Sequence, residues 1–543
     1  MGLRDRFSPT ALQVLSLMVF WGQIQNYMMR TNLAILIVAM TKDPAPPDTG
    51  DGAAFGGGGG NATAFATDKY GYEIRERCPA TDNVLSNISG VNTDSPNNNG
   101  YFAWDEFDVG IVLSAFSYGY LCTQIVGGRL TERFGFKRVY GLGLLLTAVL
   151  TLVSPIVAYR HMYAFVVLRA LQGLCEGVTF PALHGMTARW VPREKRSRFI
   201  ARSYFGTTFG SIITFPLCGY FIDAFGWESA FHAIGVLTFA WFMFWCVFVF
   251  DLPEKHPRIS LDELEELKEG TRVESRGVMK RHPVPWAKIM TSRPFVALIV
   301  ADASNTCGLI MLGSYGPSYL KYMLGVDMKT NGILSGLPWL CRYFGGVFHS
   351  LLADALVTRQ YVSVANVRRV FNTISQVAPA VTMALVVYVG CDVIPVIVLL
   401  CVGMFFNGSI ASGHFSNHVD LSPNFAGTLL GVSNTFASGI VGSVTPIAVG
   451  AVIQDNMTFD AWKVIFWGTA AFYFTGNVVY VLFLSGDVQE WNYPEGVSPP
   501  SAAEEGTTEE KKALHRMEER RASIQAFMDA RRGSSVRSQT GRP

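Results

Sequence analysis

Long apolar stretches separated by short polar connectors run through most of the 543 residues. Stretches 139–157, 230–250 and 393–406 contain no Asp, Glu, Lys or Arg. A bilayer core of about 30 Å requires about 20 apolar residues in a helix. Twelve segments have roughly that length and are predicted to span a membrane: 11–40, 107–130, 139–158, 162–188, 200–223, 230–250, 295–321, 331–355, 371–390, 393–416, 425–453 and 463–485.

The twelve segments divide the chain into two six-helix halves, which predicts an all-α membrane protein. The first half covers 1–250 and includes a polar outer loop at 41–105. The charged connector 251–294 is predicted to form a short helix outside the bilayer and to act only as a solvated linker. The second half covers 295–485, and a charged tail, disordered or helical, occupies 486–543.

Charge placement predicts the orientation of the chain. Basic clusters precede span one and follow spans two, four and eight, all on one side of a regular weave, and positive loops stay cytoplasmic. Both termini are therefore predicted to be cytosolic. Three N-glycosylation sequons lie in loops on the opposite side, where acceptors must be. They begin at Asn61, Asn87 and Asn456.

Composition supports the membrane assignment. Half of the residues are hydrophobic, 16% are charged and the mean hydropathy is +0.26, whereas a soluble domain has about 25% charged residues. A soluble protein with very apolar core helices is the alternative, but the repeated membrane-length segments argue against it. Eight of the nine cysteines lie in or beside apolar segments. Cys78 is in the outer loop, and a bridge to Cys391, at a short connector, is possible but not favoured.

The two halves contain corresponding loops. Span two ends in a run that includes Gly128, Glu132, Arg133, Gly135 and Arg138. Span eight ends in a related run, which reaches Asp354 before further basic residues. Small residues permit close helix contact, and an acid followed by Arg and Lys predicts a charge-paired gating latch. This pattern resembles the signature loop of the major facilitator superfamily, which implies a central site between two halves.

Polar residues form a stripe on span one. Gln23, Asn26, Tyr27 and Arg30 are spaced by three, one and three positions, so they share one helix face. A guanidinium stays charged and binds carboxylate or phosphate through a planar fork. The stripe predicts substrate binding by Asn26, Tyr27 and Arg30, with Arg30 as the anion anchor. A snorkelling or salt-bridged arginine is the alternative.

Span four contains a second stripe, formed by Arg169, Gln172, Glu176 and Thr179. Ionisable residues inside a membrane are costly and point to function. Removal from water penalises the charged carboxylate, so Glu176 is predicted to exchange a proton during transport, with Arg169 as a substrate contact. Mutual neutralisation of the two residues is the structural alternative.

The second half has fewer charges. Asp302 opens span seven together with Asn305 and is a candidate ion-coupling acid or an interfacial cap. Arg342 in span eight is a candidate second substrate contact. His414 and His418 end span ten beside Asp420. Their spacing suggests a metal, but no third ligand is well placed, so helix-end packing and a latch are favoured.

The segment at 168–185, LRALQGLCEGVTFPALHG, resembles the anion-carrier family of sialin, the vesicular glutamate transporters and the type I sodium-phosphate cotransporters. The Tyr118-Gly119-Tyr120 motif adds to the resemblance, and it covers about 10–490. It implies that Arg30, Arg169 and Glu176 hold the family's positions for substrate binding and proton coupling, and that Tyr118 lines the site. Vesicular glutamate transporters have an arginine near Asn305, and sialin has an acid at Gln172; both departures favour the phosphate and organic-anion branch.

These observations predict a secondary active carrier of small anions, coupled to Na⁺ or H⁺, without another cofactor, enzyme activity or nucleic-acid partner. A non-transporting receptor or scaffold is the alternative, as is a lysosomal or vesicular carrier of acidic sugars or amino acids. No P-loop supports an ATP-driven pump. The protein is expected to function as a monomer among lipids. The absence of a clear dileucine signal favours the plasma membrane over an organelle.

Overall fold

The computed structural model describes residues 10–42, 66–67, 73–74, 100–265, 267, 284–454 and 457–493. Long helices dominate this part of the chain. They are α1 Ala11–Met40, α2 Glu106–Phe134, α3 Phe136–Arg160, α4a Met162–Glu176 with α4b Thr179–Trp190, α5 Arg193–Phe225, α6 Trp227–Phe248, α7 Arg293–Ser318, α8 Met328–Thr358, α9 Val364–Val389, α10a Val393–Asn407 with α10b His414–Leu421, α11a Ala426–Asn434 with α11b Gly442–Ile453, and α12 Phe459–Phe483.

Non-α turns interrupt or extend three of these helices. A 3-10 turn, Gly408–Ala411, follows α10a, and π-helical turns occupy Tyr319–Met323 and Thr435–Val441. Outside the long helices lie a strand pair, β1 Ala66–Thr67 and β2 Glu73–Ile74, and a short helix, Trp286–Met290. The molecule is thus helical nearly throughout its described part.

Each predicted span overlaps one of these helices, but several helices are longer than predicted. The helix α5 begins at Arg193 instead of 200, and α9 begins at Val364 instead of 371. The added turns are rich in basic residues, which a hydropathy pattern assigns to loops although a helix extending into water accommodates them.

Nine of the described helical segments are long and apolar enough to cross a membrane. The helices α1, α2 and α8 have 30, 29 and 31 residues but are not among the nine. Each carries polar residues within its length, such as Asn26 and Arg30 in α1 and Arg342 in α8. The chain is therefore a multi-pass membrane protein in which the most polar helices contribute side chains to the interior.

The connector contributes to the start of α1. Thr10 and Gln13 form a capping box there, and both carboxylate oxygens of Glu263 accept hydrogen bonds from the N–H groups of Ala11 and Leu12, at 3.0 Å each. A carboxylate at a helix N-terminus satisfies otherwise unpaired donors. Glu263 of the connector therefore caps α1, a contact that the sequence did not predict, and the interpretation of the connector as a linker without activity stays a prediction.

Residues 1–488 form one compact unit. Within it α5 packs along α8 and α2 along α11, which joins the two halves. At the predicted outer end the backbones touch directly: a Cβ on Gly332 would lie 2.6 Å from the carbonyl oxygen of Phe215 and 3.0 Å from the Cα of Gly219. The second unit, 489–543, is described only at 489–493, which include the turn Glu490–Asn492.

Candidate functional site

Glycines bring α2 and α4a unusually close. A Cβ on Gly173 would lie 2.0 Å from the carbonyl oxygen of Phe116, and one on Gly119 would lie 1.8 Å from that of Ala170. Helices this close can be built only where a residue has no side chain. The contact holds the side chains of both helices near α1, where the polar stripe begins.

The helix interruption after Glu176 lies beside this contact. The α-helical pattern stops at Glu176 and resumes at Thr179, and the side chain of Gln124 donates a hydrogen bond of 2.9 Å to the carbonyl oxygen of Gly177. Non-helical backbone at membrane depth requires such partners. The interruption frees polar backbone groups at the level of Glu176, a feature that the sequence did not predict.

Arg30 lies in a cage of aromatic rings. Its guanidinium carbon is 4.8 Å from the ring centre of Tyr120, 5.3 Å from that of Phe116 and 5.6 Å from that of Tyr27. Cation–π contacts stabilise a desolvated cation. Because the rings supply no formal negative charge, Arg30 keeps its capacity to bind an anion.

Arg169 lies beside Arg30 and is buried. One terminal nitrogen donates to the side-chain oxygen of Gln172 at 2.8 Å and to the carbonyl of Met29 at 3.4 Å, and the other donates to the carbonyl of Arg30 at 3.4 Å. Its Nε has no hydrogen-bond partner among the described residues. Arg169 therefore fixes α4a to α1 and places a second positive charge in the same region.

Glu176 is fully buried, and neither carboxylate oxygen has a hydrogen-bond partner in the described part of the chain. Its electrostatic partners include Arg30 and Arg169. A hydrogen-bonded bridge runs from its backbone oxygen through the hydroxyl of Thr179, at 2.7 Å, to the side chain of Asn26, at 2.9 Å. Buried polar groups without partners need an explanation, and a proton, a water or a ligand would supply one here.

Other buried polar atoms around α1 also have no hydrogen-bond partner among the described residues. The side-chain amides of Gln23 and Asn32 are buried, and none of their four N and O atoms has a partner among the described residues. The hydroxyl of Tyr140 also lacks one. The first half therefore contains a polar interior whose hydrogen-bonding capacity is not used within the described chain.

The second half places Arg342 in an amide network. Its Nε donates to the side-chain oxygen of Asn407 at 2.9 Å, and the amide of Asn407 donates to Asn305 at 2.7 Å. The guanidinium is 5.9 Å from the ring of Trp339 and interacts electrostatically with Tyr27 of the first half. Arg30 and Arg342 thus approach the same tyrosine from opposite halves.

Asp302 lies elsewhere, at a junction of α7, α10b and α11a. One oxygen accepts a hydrogen bond from the hydroxyl of Ser433 at 2.5 Å, and the other is 3.7 Å from Nε2 of His414. It is not an interfacial helix cap, because α7 begins nine residues earlier, at Arg293. No group of three His, Cys, Asp or Glu side chains suited to a metal occurs in the described part of the chain.

Tyr118 is not brought to the aromatic cage. It is 40% exposed, whereas Tyr120 is buried and contacts Arg30. Residues two apart on a helix point to nearly opposite faces, so the two tyrosines of the motif have different surroundings. A substrate contact by Tyr118 stays a prediction, and Tyr120, which the prediction did not include, is the tyrosine that contacts Arg30.

A further acid, Asp251, lies beside the predicted latch. Gly135 has a φ of +84°, and the adjacent backbone N–H of Lys137 donates to Asp251 at 2.9 Å. Asp251 follows α6 and was not predicted from the signature loop. The side chain of Glu132 is outside the described residues. The remaining predicted members are Arg133, Arg138 and Asp354, which are exposed, and Gly128, which is half-buried.

In the second half the corresponding region contains an ion pair. Asp420 accepts hydrogen bonds from Nε and a terminal nitrogen of Arg368 at 2.6 and 3.3 Å. Arg368 also donates to the carbonyl oxygen of Ser412 at 2.9 Å, so it fastens α9 to α10b.

Two sets of predictions concern the outer loops. Asn61, Asn87 and Asn456 lie outside the described residues, so glycosylation stays a prediction. Cys391 is disulfide-bonded, whereas the other described cysteines are free. Cys391 thus forms a disulfide that the sequence analysis did not favour. Cys78, the ninth cysteine, is outside the described residues.

Residues 19–446 match the model of the Major Facilitator Superfamily. The chain belongs to this family. Human sialin is 34% identical over 477 residues, which cover 88% of the chain and 90% of sialin. A putative inorganic phosphate cotransporter of Drosophila ananassae is 32% identical and covers 90% of the chain and 96% of its own length. These matches confirm the resemblance that the motifs of α4a suggested.

The fold agrees with solved structures of other membrane transporters. The crystal structure of a D-xylose-proton symporter matches with a TM-score of 0.60 over 88% of this chain and all of that chain, at 10% sequence identity. At this identity the match shows the fold alone. The predicted facilitator fold is thereby confirmed, and family membership indicates a transporter rather than an enzyme.

Proposed function

We propose that this facilitator is a secondary active carrier of small anions, either inorganic phosphate or organic carboxylates, which works by alternating access of its two halves. The observation that carries the proposal is the aromatic cage of Arg30, with Arg169 beside it, inside the membrane region. Such cations are costly in a membrane unless they bind something. The names of the relatives, sialin and a phosphate cotransporter, support the same class of cargo.

In this proposal Arg30 binds the anion through its planar fork and Arg169 adds charge and fixes α1 to α4a. Arg342 contacts the cargo from the other half, since it approaches Tyr27 as Arg30 does. Glu176 is the coupling acid of the first half because its buried oxygens lack partners among the described residues. Na⁺ or H⁺ is the coupling ion, and no other cofactor is required.

The proposed setting is the plasma membrane, with both termini cytosolic, and the proposed functional unit is the monomer. An organelle membrane is the alternative, and imaging of the tagged full-length chain beside surface biotinylation separates the two. A shift in gel mobility after glycosidase treatment would check N-glycosylation at Asn61, Asn87 and Asn456 at the same time.

The test is uptake of radiolabelled anions into proteoliposomes under imposed Na⁺ or H⁺ gradients. We expect uptake of at least one anion by the native protein and its loss in Arg30→Ala. Arg160→Ala is the matched control, because Arg160 is exposed at the end of α3. If a panel of phosphate, monocarboxylates, dicarboxylates, glutamate, urate and sugar acids is not transported by folded protein under either gradient, the scaffold alternative is the better one.

A further inference from the structure

A buried pair of ionisable side chains, Asp302 and His414, lies in the C-terminal half, away from Arg30 and Arg169. Nε2 of His414 faces one oxygen of Asp302 at 3.7 Å, and the other oxygen is held by Ser433. His414 is fully buried, and its Nε2 has no hydrogen-bond partner in the described part of the chain. The two side chains come from α7 and α10b, so the pair joins two helices of this half.

The far side of the imidazole is fixed by two amides. Nδ1 of His414 lies 2.7 Å from the side-chain oxygen of Asn372, whose nitrogen donates to the oxygen of Asn477 at 3.0 Å. Because Asn372 turns its oxygen to the ring, Nδ1 must carry the hydrogen. In the neutral ring Nε2 then has only a lone pair to present to a carboxylate. Without a proton two acceptors face each other across this gap, whereas a proton on Nε2 would let the ring donate to the carboxylate.

Among the described residues, no Lys or Arg contributes to the electrostatics of the Asp302 carboxylate. The electrostatic partners of Asp302 are His414, His418 and the hydroxyl of Ser433. The titratable and charged groups on the elements packed around the pair include Tyr204 of α5, Arg368 and Arg369 of α9, His418 and Asp420 of α10b, and Tyr480 of α12. Arg368 is paired with Asp420, so it does not neutralise Asp302.

A sodium ion fits the pair less well than a proton. Na⁺ is a hard cation that takes several oxygen ligands, whereas an imidazole nitrogen suits softer metals. The carboxylate and the Ser433 hydroxyl are the oxygens around Asp302 that the contacts show, and the third partner is a nitrogen. The chemistry of the pair therefore selects H⁺.

The pair is also linked to the first half through a chain of aromatic contacts. Phe415, next to His414, packs edge-on against Tyr204 of α5 at 5.5 Å, and Tyr204 contacts Phe180 of α4b at 5.5 Å. This aromatic bridge runs from α10b to α4b, the helical segment that follows the interruption after Glu176. A shift of α10b on protonation would thus be transmitted across the interface between the halves.

We propose that Asp302 and His414 form a proton-binding site that takes up and releases one proton in each transport cycle. On loading, a proton from water forms a bond to Nε2, and the imidazolium donates to the carboxylate; the pair changes from one negative charge to none. Release to water on the other side breaks the same N–H bond. The inference rests on the proposed function and names its coupling ion.

Proton flux and anion exchange measured in the same proteoliposomes test this inference. In Asp302→Asn and in His414→Gln we expect accumulation driven by a pH gradient to fall at least tenfold and anion exchange without a gradient to persist. The double variant should be no worse than either single one. His349→Gln is the matched control, since this buried histidine of α8 bonds to the carbonyl oxygen of Gly345 in its own helix, and it should keep coupling.

Three outcomes would overturn the inference. An unchanged proton-to-anion ratio in both variants would exclude the pair as the site. If folded variants lost anion exchange as well as coupling, the pair would have a structural role. If accumulation by the native protein followed a Na⁺ gradient alone, the coupling ion would be Na⁺. In the last case anion transport would stand.

A second measurement does not depend on transport. Infrared difference spectra of the purified full chain after a pH jump should show carboxylate and imidazole bands that vanish in Asp302→Asn and in His414→Gln but remain in His349→Gln. Bands that survive in both pair variants would refute proton binding even if no cargo is found. A native protein that shows the bands but transports no anion would refute the proposed function instead.

Discussion

The contact between α2 and α4a makes a sharp prediction for Gly173→Ala. The added Cβ would lie 2.0 Å from the carbonyl oxygen of Phe116, whereas a carbon and an oxygen in contact are normally about 3.3 Å apart. The helices must therefore separate by about 1.3 Å (3.3 − 2.0) at this point. Overpacking of this kind costs about 1–3 kcal/mol, which outweighs the gain of about 0.5–1 kcal/mol from replacing a helical glycine by alanine.

The separation should also weaken anion binding. Phe116 lies 5.3 Å from the guanidinium carbon of Arg30 and 5.5 Å from that of Arg169, so moving α4a by about 1 Å disturbs both arginines. We expect an increase of about tenfold in KM for the anion, equivalent to about 1.4 kcal/mol. The measurements are the thermal unfolding midpoint of purified protein and concentration-dependent uptake.

The matched control is Gly468→Ala in α12, where a Cβ would meet no atom within 4 Å. This variant should be as stable as the native protein or slightly more stable, with unchanged KM. If Gly173→Ala behaved in the same way as this control, the close approach of α2 and α4a would be refuted, and with it the reason for placing Arg169 beside Arg30.

Three further predictions concern other parts of the chain. Arg30→Lys keeps the charge but loses the planar fork among three rings; we expect KM to rise about 10–100-fold, and an unchanged KM would show that charge alone suffices. Glu263→Ala removes the acceptor of two N–H groups and should lower stability by about 1–2 kcal/mol, whereas its exposed neighbour gives a control, Asp262→Ala, that should unfold like the native protein. Cys391→Ala and Cys78→Ala should each abolish the same reducible link between proteolytic fragments, because Cys78 is the one cysteine not described; a freely labelled Cys78 in native protein would contradict this pairing.

Periodicity and hydropathy predicted the helices well because a membrane helix must be predominantly apolar over about 20 residues. They also located the stripe of α1, since Asn26, Tyr27 and Arg30 are polar residues in a helix of Leu, Val, Ile and Met. The interruption after Glu176 escaped prediction. Gly177 alone does not break a helix, and the partner that stabilises the break, Gln124, is distant in the sequence.

The missed residues share a physical cause. Asp251 and Glu263 act through backbone N–H groups of segments more than a hundred residues away, so no local pattern marks them. His414 was predicted to be a helix-end residue because it lies with His418 and Asp420 at the end of span ten. Only the packing of α7 against α10b shows that it faces Asp302.

The close backbone contact between Gly332 and Gly219 has a consequence for locking the protein in one conformation. Two backbones meet there without interlocking side chains, so they can part without any side chain having to be withdrawn from a pocket. A bulky side chain introduced at Gly219 would act as a wedge that holds the predicted outer end apart. Such a variant should remain folded with its outer end accessible. It would give conformation-selective binders a fixed target and would allow the state that is open at the outer end to be imaged.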